Sequence, residues 1–278
     1  MKDRQFSCLF RETSEYAAEI KYCSEYFNVS KNIGSLLDDV SYKNVETILA
    51  RFSVLPFYKE VEDSLKTKNL KLLNTYDQHK YIADFWYYND ILKYTPKTWF
   101  RLEDVPDVGK FVVKGLTNSR KFNWNSMMFA ENKREAVRIF CDLGDDGLIG
   151  SQDRIVREYI PLETFEIGIN GTRFTNEWRC FFLGDKLISS SYYWRIAKDA
   201  EKINSNTAWK KDAETFSKMI AKRVSPHVGF FAIDVAKTES GDWIVIEIND
   251  GQMSGLSMID PKQFYKNLEK EFLKRGFR

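Results

Sequence analysis

Residues 229–251 read GFFAIDVAKTESGDWIVIEINDG, two runs rich in β-branched and aromatic side chains around a turn centred on Ser240-Gly241. A hairpin of this kind restricts a chain strongly, because the two-residue side-chain period assigns each residue of one strand a partner and a face on the other. A turn of two or four residues predicts Asp234 opposite Glu247, with Asn249 on the same face. The opposite face then gathers Phe231, Ile233 and Val235 with Ile244, Ile246 and Ile248, an apolar surface suited to a core. Two carboxylates and an amide oxygen form a hard-oxygen donor set. Such sets suit Mg²⁺, which is usually held by one or two carboxylates together with substrate phosphates. The hairpin therefore points to phosphate chemistry, against the competing reading of a surface hairpin whose polar face meets water.

The rest of the chain supplies a frame for that hairpin. VETILARF, YKEVEDSLKTKN and LKLLNT, within residues 45–74, read as strand, helix and strand, a βαβ unit. A second helix over about Gln78–Tyr94 leads to Thr95-Pro96, where proline favours a boundary. GKFVVKG reads as a buried strand, ENKREAVRIFCDLG as a helix ending at Gly144, and Arg154–Ile160 as a strand. NEWRCFFLGDKLISSSYYW is a pair of strands joined at Gly184-Asp185. Asp212 is expected to cap a helix carrying Phe216 and Ile220, and Asp260-Pro261 to open a last helix that ends before Gly276. The fold class is α+β, with lobes expected at 1–95, 96–160 and 161–278.

Forty-two basic against 40 acidic side chains leave a charge of +2, far from the balance of a dedicated nucleic-acid binder. The longest charge-free run, Val224–Ile233, is about half of the ~20 residues a spanning helix needs. The first residues, MKDRQFSCLF, carry charges where a signal peptide is apolar, so a cytoplasmic protein is expected. Cys8, Cys23, Cys141 and Cys180 have no CxxC spacing, and with only His79 and His227 beside them they predict reduced thiols rather than a zinc site. Neither a GxSxG elbow nor a Walker-A spacing occurs. GDDGLIG (144–150) reads as a turn, since its aspartates would repel phosphate, and FWYY (85–88) as helix packing.

The order of a strand lysine, a linking segment, an arginine-bearing strand and an Asp…Glu-x-Asn hairpin resembles the ATP-grasp superfamily. WRCFFLGDKL (178–187) and AIDVAKTESGDWIVIEIN (232–249) are similar to strands of its ribosomal-protein glutamate ligases. The likeness covers about residues 95–255. It implies two α+β subdomains clamping ATP behind an N-terminal pre-ATP-grasp lobe, and the joining of a carboxylate to an amine through an acyl phosphate, with release of ADP and phosphate. It further implies Asp234, Glu247 and Asn249 as Mg²⁺ ligands and Lys114 as the nucleotide-binding lysine. Glu158, Tyr159 and Ile160 would meet the adenine edge, Glu163 the ribose hydroxyls, and Arg179 the γ-phosphate or acyl phosphate. A salt bridge to Glu177 is the plain alternative for Arg179.

Where most relatives carry a glycine-rich loop over the phosphates, this chain has GLTNSRKFNW (115–124). Arg120 and Lys121 would then clamp phosphate in place of backbone N–H groups. This looks like the arginine-and-two-lysine clade of phages and bacteria. Arg51, following an apolar strand in the front lobe, is predicted to contact a substrate carboxylate, and the same strand-end argument covers Asn74, Gln78 and Lys80. Expected partners are an acid, small or peptidic, and an amine, with neither membrane nor nucleic acid indicated. A kinase on the same scaffold and a nucleotide-binding regulatory module are the alternatives.

Overall fold

A computed structural model describes residues 6–11, 13, 16–38 and 46–276. The front of the chain forms a parallel sheet in the order β2-β1-β3-β4, from β1 (Ser7–Leu9), β2 (Asn28–Ser30), β3 (Glu46–Ala50) and β4 (Leu70–Leu72). Helices α1 (Ala17–Cys23), α2 (Ile33–Asp38) and α3 (Tyr58–Lys66) connect its strands. The βαβ unit β3-α3-β4 is the one legible in the sequence; β1 and β2, three residues each, are too short to show a period.

The second predicted helix stops early. α4 (Tyr76–Ala83) starts with a capping box between Thr75 and Gln78, and Phe85 then adopts a left-handed φ of 63°. The next residues run in 3₁₀ turns at Trp86–Asp90 and Leu92–Tyr94. Phe85, Tyr87 and Tyr88 bury their rings against the main core, and that burial outweighs continued α-helix.

A second sheet, antiparallel and ordered β5-β8-β6-β7, comprises β5 (Thr98–Trp99), β6 (Phe111–Gly115), β7 (Phe129–Ala130) and β8 (Arg154–Glu158). α5 (Trp124–Met127) and α6 (Lys133–Asp142) lie between β6 and β8 in sequence. After the short pair β9 (Thr164–Ile167) and β10 (Arg173–Thr175) comes the large antiparallel sheet. Its order is β12-β11-β13-β14, from β11 (Glu177–Leu183), β12 (Lys186–Tyr192), β13 (Phe230–Lys237) and β14 (Trp243–Asp250). α7 (Ala200–Asn204) and α8 (Thr207–Val224) intervene, and α9 (Pro261–Arg275) closes the chain. α8 begins at Asn206, whose side chain accepts from the N–H groups of Ala208 and Trp209; Asp212, the expected cap, lies inside the helix. α9 starts and ends as predicted, with Asp260 accepting from the Lys262 N–H and Gly276 at φ 65°.

The large sheet has two unlike faces. Trp178, Cys180 and Phe182 of β11 pack with Phe231, Ile233 and Val235 of β13 in the main core, beside Ile220 and Val224 of α8. On the other face, Leu183, Phe181, Arg179 and Glu177 alternate along β11 and change character halfway. Leu183 and Phe181 share a second core with Phe264 and Tyr265 of α9 and Phe6 and Phe27 of the front lobe. Arg179 and Glu177 continue the same row beyond that cover.

Asn74 ties the front lobe to this sheet. Its side-chain amide donates to the Phe230 carbonyl (2.6 Å) and to Asp250 (2.7 Å), while its oxygen accepts from the Phe230 N–H (2.8 Å). Asn74→Ala is expected to lower unfolding free energy by roughly 2–4 kcal/mol, because it leaves buried partners unpaired. Urea denaturation measures it, and a loss below about 1 kcal/mol would contradict the tether.

Candidate active site

The row of β11 meets a row of β13 and β14. Arg179 pairs in register with Asp234, and Asp234 with Glu247, the pairing expected from the sequence. It is reached differently, however. Lys237 pairs with Trp243, enclosing residues 238–242, an odd-length turn, and a bulge between Asp234 and Val235 restores the register by skipping Ile246. The bulge also redistributes the isoleucines. Val245, not Ile244 or Ile246, joins Val235 in the core, while Ile244 and Ile246 line a cavity on the site face.

That cavity lies between the second sheet and the edge of the large one. Val112 and Lys114 of β6 and Arg157 of β8 form one wall, and Ile244, Ile246 and Glu247 the other. The segment 158–162 crosses between them: the N–H groups of Glu158 and Tyr159 donate to the Lys97 and Lys110 carbonyls, and that of Glu163 to the Lys237 carbonyl. Glu158, Tyr159 and Ile160 line the cavity. Glu163 accepts from Asn176 (2.8 Å) and is not among the lining residues.

Charges in the cleft are paired in a chain. Asp234, fully buried, accepts two hydrogen bonds from Arg179, at 2.8 and 2.7 Å, and one from Asn249 at 3.2 Å. The Arg179 alternative of a Glu177 salt bridge is thus replaced by Asp234. Lys114, only 4% exposed, donates to Glu247 at 2.7 Å. Burial pulls the Lys114 ammonium below its ordinary value against the pull of Glu247. Burial also pushes the Glu247 carboxyl up, but Lys114 and Lys121 override it and hold that carboxyl well below the usual range. Glu177 pairs instead with Lys121 at 3.4 Å, and burial raises its pKa. Lys121 also stands over the Tyr193 ring at 4.1 Å and the Trp194 ring at 5.4 Å.

Asp234, Glu247 and Asn249 fit a hard divalent cation by donor type and by their places on adjoining strands. Among the described residues no group of three or more His, Cys, Asp or Glu is placed to hold a metal ion by itself.

A second cavity shares Lys121 and Trp194 with the first and is also lined by Arg179 and Arg51. Neighbouring residues in the loop part company here. Lys121 points into the cleft, whereas Arg120 makes a two-point ion pair with Asp146 and is absent from both linings. That pair holds the Asp146 carboxyl down at about 2, and the predicted turn at 144–150 is its anchor.

Arg51 departs from expectation as well. It is 2% exposed, and its guanidinium donates to Glu19 (2.8 Å) and to the carbonyls of Gly251 (2.5 Å) and Ser254 (2.9 Å). It fastens the loop after β14 instead of offering free donors to a substrate. Asn74 is the tether described above, Gln78 belongs to the capping box and Lys80 pairs with Asp84. For Arg51 and Asn74 the strand ends are taken by chain that returns from far away, the loop after β14 for Arg51 and the ends of β13 and β14 for Asn74, whereas Gln78 and Lys80 are engaged by neighbours in or beside α4. Tyr193, Trp194, Glu177, Ile244 and Ile246, by contrast, were not singled out as ligand-facing from the sequence. The isoleucines were hidden by the bulge, and the others carry no motif.

The architecture has counterparts among solved structures. The ligase PsnB, complexed with a phosphomimetic variant of its minimal precursor, Mg and ADP, aligns with a TM-score of 0.58 and 10% identity over 98% of this chain and 97% of that one. D-alanine–D-alanine ligase from Bacillus anthracis complexed with ATP gives 0.57 and 12% over 98% and 97%. D-cycloserine synthetase DcsG gives 0.52 and 11% over 96% and 99%. At these identities the likeness establishes the fold. No curated protein sequence matches the chain. The family described as ATP-grasp domain, R2K clade family 3, matches residues 101–268, more than half of the sequence, and the chain belongs to that family.

Proposed function

We propose that the protein is an ATP-dependent ligase that joins a carboxylic acid to an amine. The observation that carries this reading is the pair of cavities meeting at Lys121 and Trp194, with Arg179 lining the second and Lys114 and Glu247 lining the first. ATP would lie in the first cavity, its adenine between Ile244, Ile246 and the 158–162 segment, and its phosphates toward Lys114 and Lys121. The acid would occupy the second, so that its carboxylate meets the γ-phosphate beside Arg179 and Lys121. Mg²⁺ held by Asp234, Glu247 and Asn249 would neutralise phosphate charge. Three lobes at 1–95, 96–160 and 161–278 belong to the same proposal and accord with the three principal sheets.

The chemistry follows from charge and position. A carboxylate oxygen attacks the γ-phosphorus as the bond to the bridging oxygen breaks, and ADP leaves with the electron pair. The amine then attacks the acyl carbon; the C–N bond forms, phosphate leaves with the C–O electrons, and the nitrogen's proton passes to solvent. No protein nucleophile is required, since positioning and cationic stabilisation supply most of the catalysis in phosphoryl transfer. Arg179 and Lys121 bear that charge; Arg120, turned to Asp146, would have to leave its partner to share it.

Melting the wild type with Mg²⁺ and a non-hydrolysable ATP analogue tests the nucleotide site. A hundredfold excess over Kd stabilises by ~2.7 kcal/mol. The shift should vanish in the double variant Asp234→Asn, Glu247→Gln. No shift in the wild type at millimolar nucleotide would sink the assignment. Turnover should release ADP and free phosphate together, whereas ADP without phosphate would indicate a kinase.

A further inference from the structure

The second cavity has a charge and polarity pattern that restricts its occupant. Among the described residues, Glu19 is the only acidic side chain in its lining, and that carboxylate already accepts from Arg51 and from the Tyr265 hydroxyl (2.5 Å). Three carbonyls of the loop after β14 are turned to cations too: Gly251 and Ser254 to Arg51, and Gly255 to Arg179 at 2.9 Å. An ammonium group entering this space would meet Lys121, Arg179 and Arg195, with no uncommitted carboxylate among the described lining residues to receive it. Arg195 is exposed and makes no ion pair among the described residues, so an anion at the mouth has a free partner.

The same mouth carries large apolar side chains in water. Phe122 is 60% and Ile196 58% exposed, and both line this cavity beside the rings of Tyr193 and Trp194. Exposed apolar groups gathered at a concave site favour an apolar ligand over a small polar one, at about 25 cal/mol per Å² of surface removed from water.

We propose that the acid substrate is an acyl donor with an apolar or aromatic side chain and no free ammonium next to its carboxylate, such as the C-terminus of an N-acylated amino acid or peptide. This rests on the ligase reading above and goes further by naming the acid. The cluster of cations orients the lone carboxylate, Phe122 and Ile196 receive the side chain, and a zwitterionic amino acid is disfavoured because its ammonium meets Lys121, Arg179 and Arg195.

The experiment supplies Mg²⁺, ATP and hydroxylamine as the amine, and measures hydroxamate and phosphate from three probes: N-acetyl-L-phenylalanine, L-phenylalanine and N-acetylglycine. N-acetyl-L-phenylalanine should give kcat/KM at least tenfold above either of the others. Ile196→Asp and Arg195→Glu should each raise its KM at least fivefold with kcat changed less than twofold. Quenching of tryptophan fluorescence by N-acetyl-L-phenylalanine should weaken in parallel, giving a readout independent of turnover. Equal or better use of L-phenylalanine or N-acetylglycine overturns the proposal, as does failure of all three acids when the Mg²⁺-nucleotide melting shift is present. Absence of that melting shift instead overturns the ligase reading and this proposal with it, so the two failures are distinguishable.

Discussion

Arg179→Met should cut turnover by about 10²–10³-fold, the cost of removing one charge-stabilising donor from a preorganised site. It should also destabilise the nucleotide-free protein by about 3–5 kcal/mol, because Asp234 would remain wholly buried without its cation. Two hydrogen bonds at 2.8 and 2.7 Å bind the partners, and Asp234 has no solvent to fall back on. The two losses should respond differently to ligand. Mg²⁺ with a non-hydrolysable ATP analogue brings positive charge to the Asp234 row, so the stability gap to wild type should narrow while turnover stays low. Arg179→Lys keeps the charge but loses the planar fork, and should recover stability better than turnover. Turnover within threefold of wild type, or a methionine variant as stable as the parent, would contradict the assignment.

The sequence carried the site's strands more faithfully than the contacts around them. The Asp234–Glu247 pairing was legible because a two-residue period allows few registers, even though the turn is odd and a bulge compensates. The bulge left no mark in the residue pattern, so the roles of Ile244 and Ile246 were inverted, from core to cavity wall. Lys114 and Arg179 were singled out through the family pattern as phosphate-facing cations, and the structure pairs them with Glu247 and Asp234. The roles of Arg51 and Asn74 were not legible, since what decides them is the end of β14 and the loop after it, which return from the far end of the chain. Arg120 and Lys121 show the local version of the same limit. Adjacent cations in one loop are indistinguishable by type, and only their distant partners, Asp146 for Arg120 and Glu177 for Lys121, separate them.

Lys121 governs a buried acid, and removing it should make stability depend on pH in a stated direction. Glu177 is 3% exposed; burial raises its pKa, Lys121 pulls it back, and Asp234 and Glu247 push it further up. In Lys121→Met the restraint is gone, so the native carboxyl holds its proton to higher pH than the unfolded one, whose pKa is about 4.3. The native state then binds more protons than the unfolded state. Its extra stability is present below the unfolded pKa and is lost as pH rises toward the native value, with a slope of up to ~1.4 kcal/mol per pH unit. Urea unfolding at pH 5, 6, 7 and 8 should therefore show the variant weakening against wild type as pH increases. Lys121→Met, Glu177→Gln, which has no proton to lose, should remove that added slope. Parallel profiles for the single and double variants would mean that Glu177 is not the acid Lys121 restrains. Turnover separates this electrostatic role from the catalytic one, because the double variant regains the flat stability profile yet still lacks the cation shared by the two cavities, and should remain at least a hundredfold below wild type.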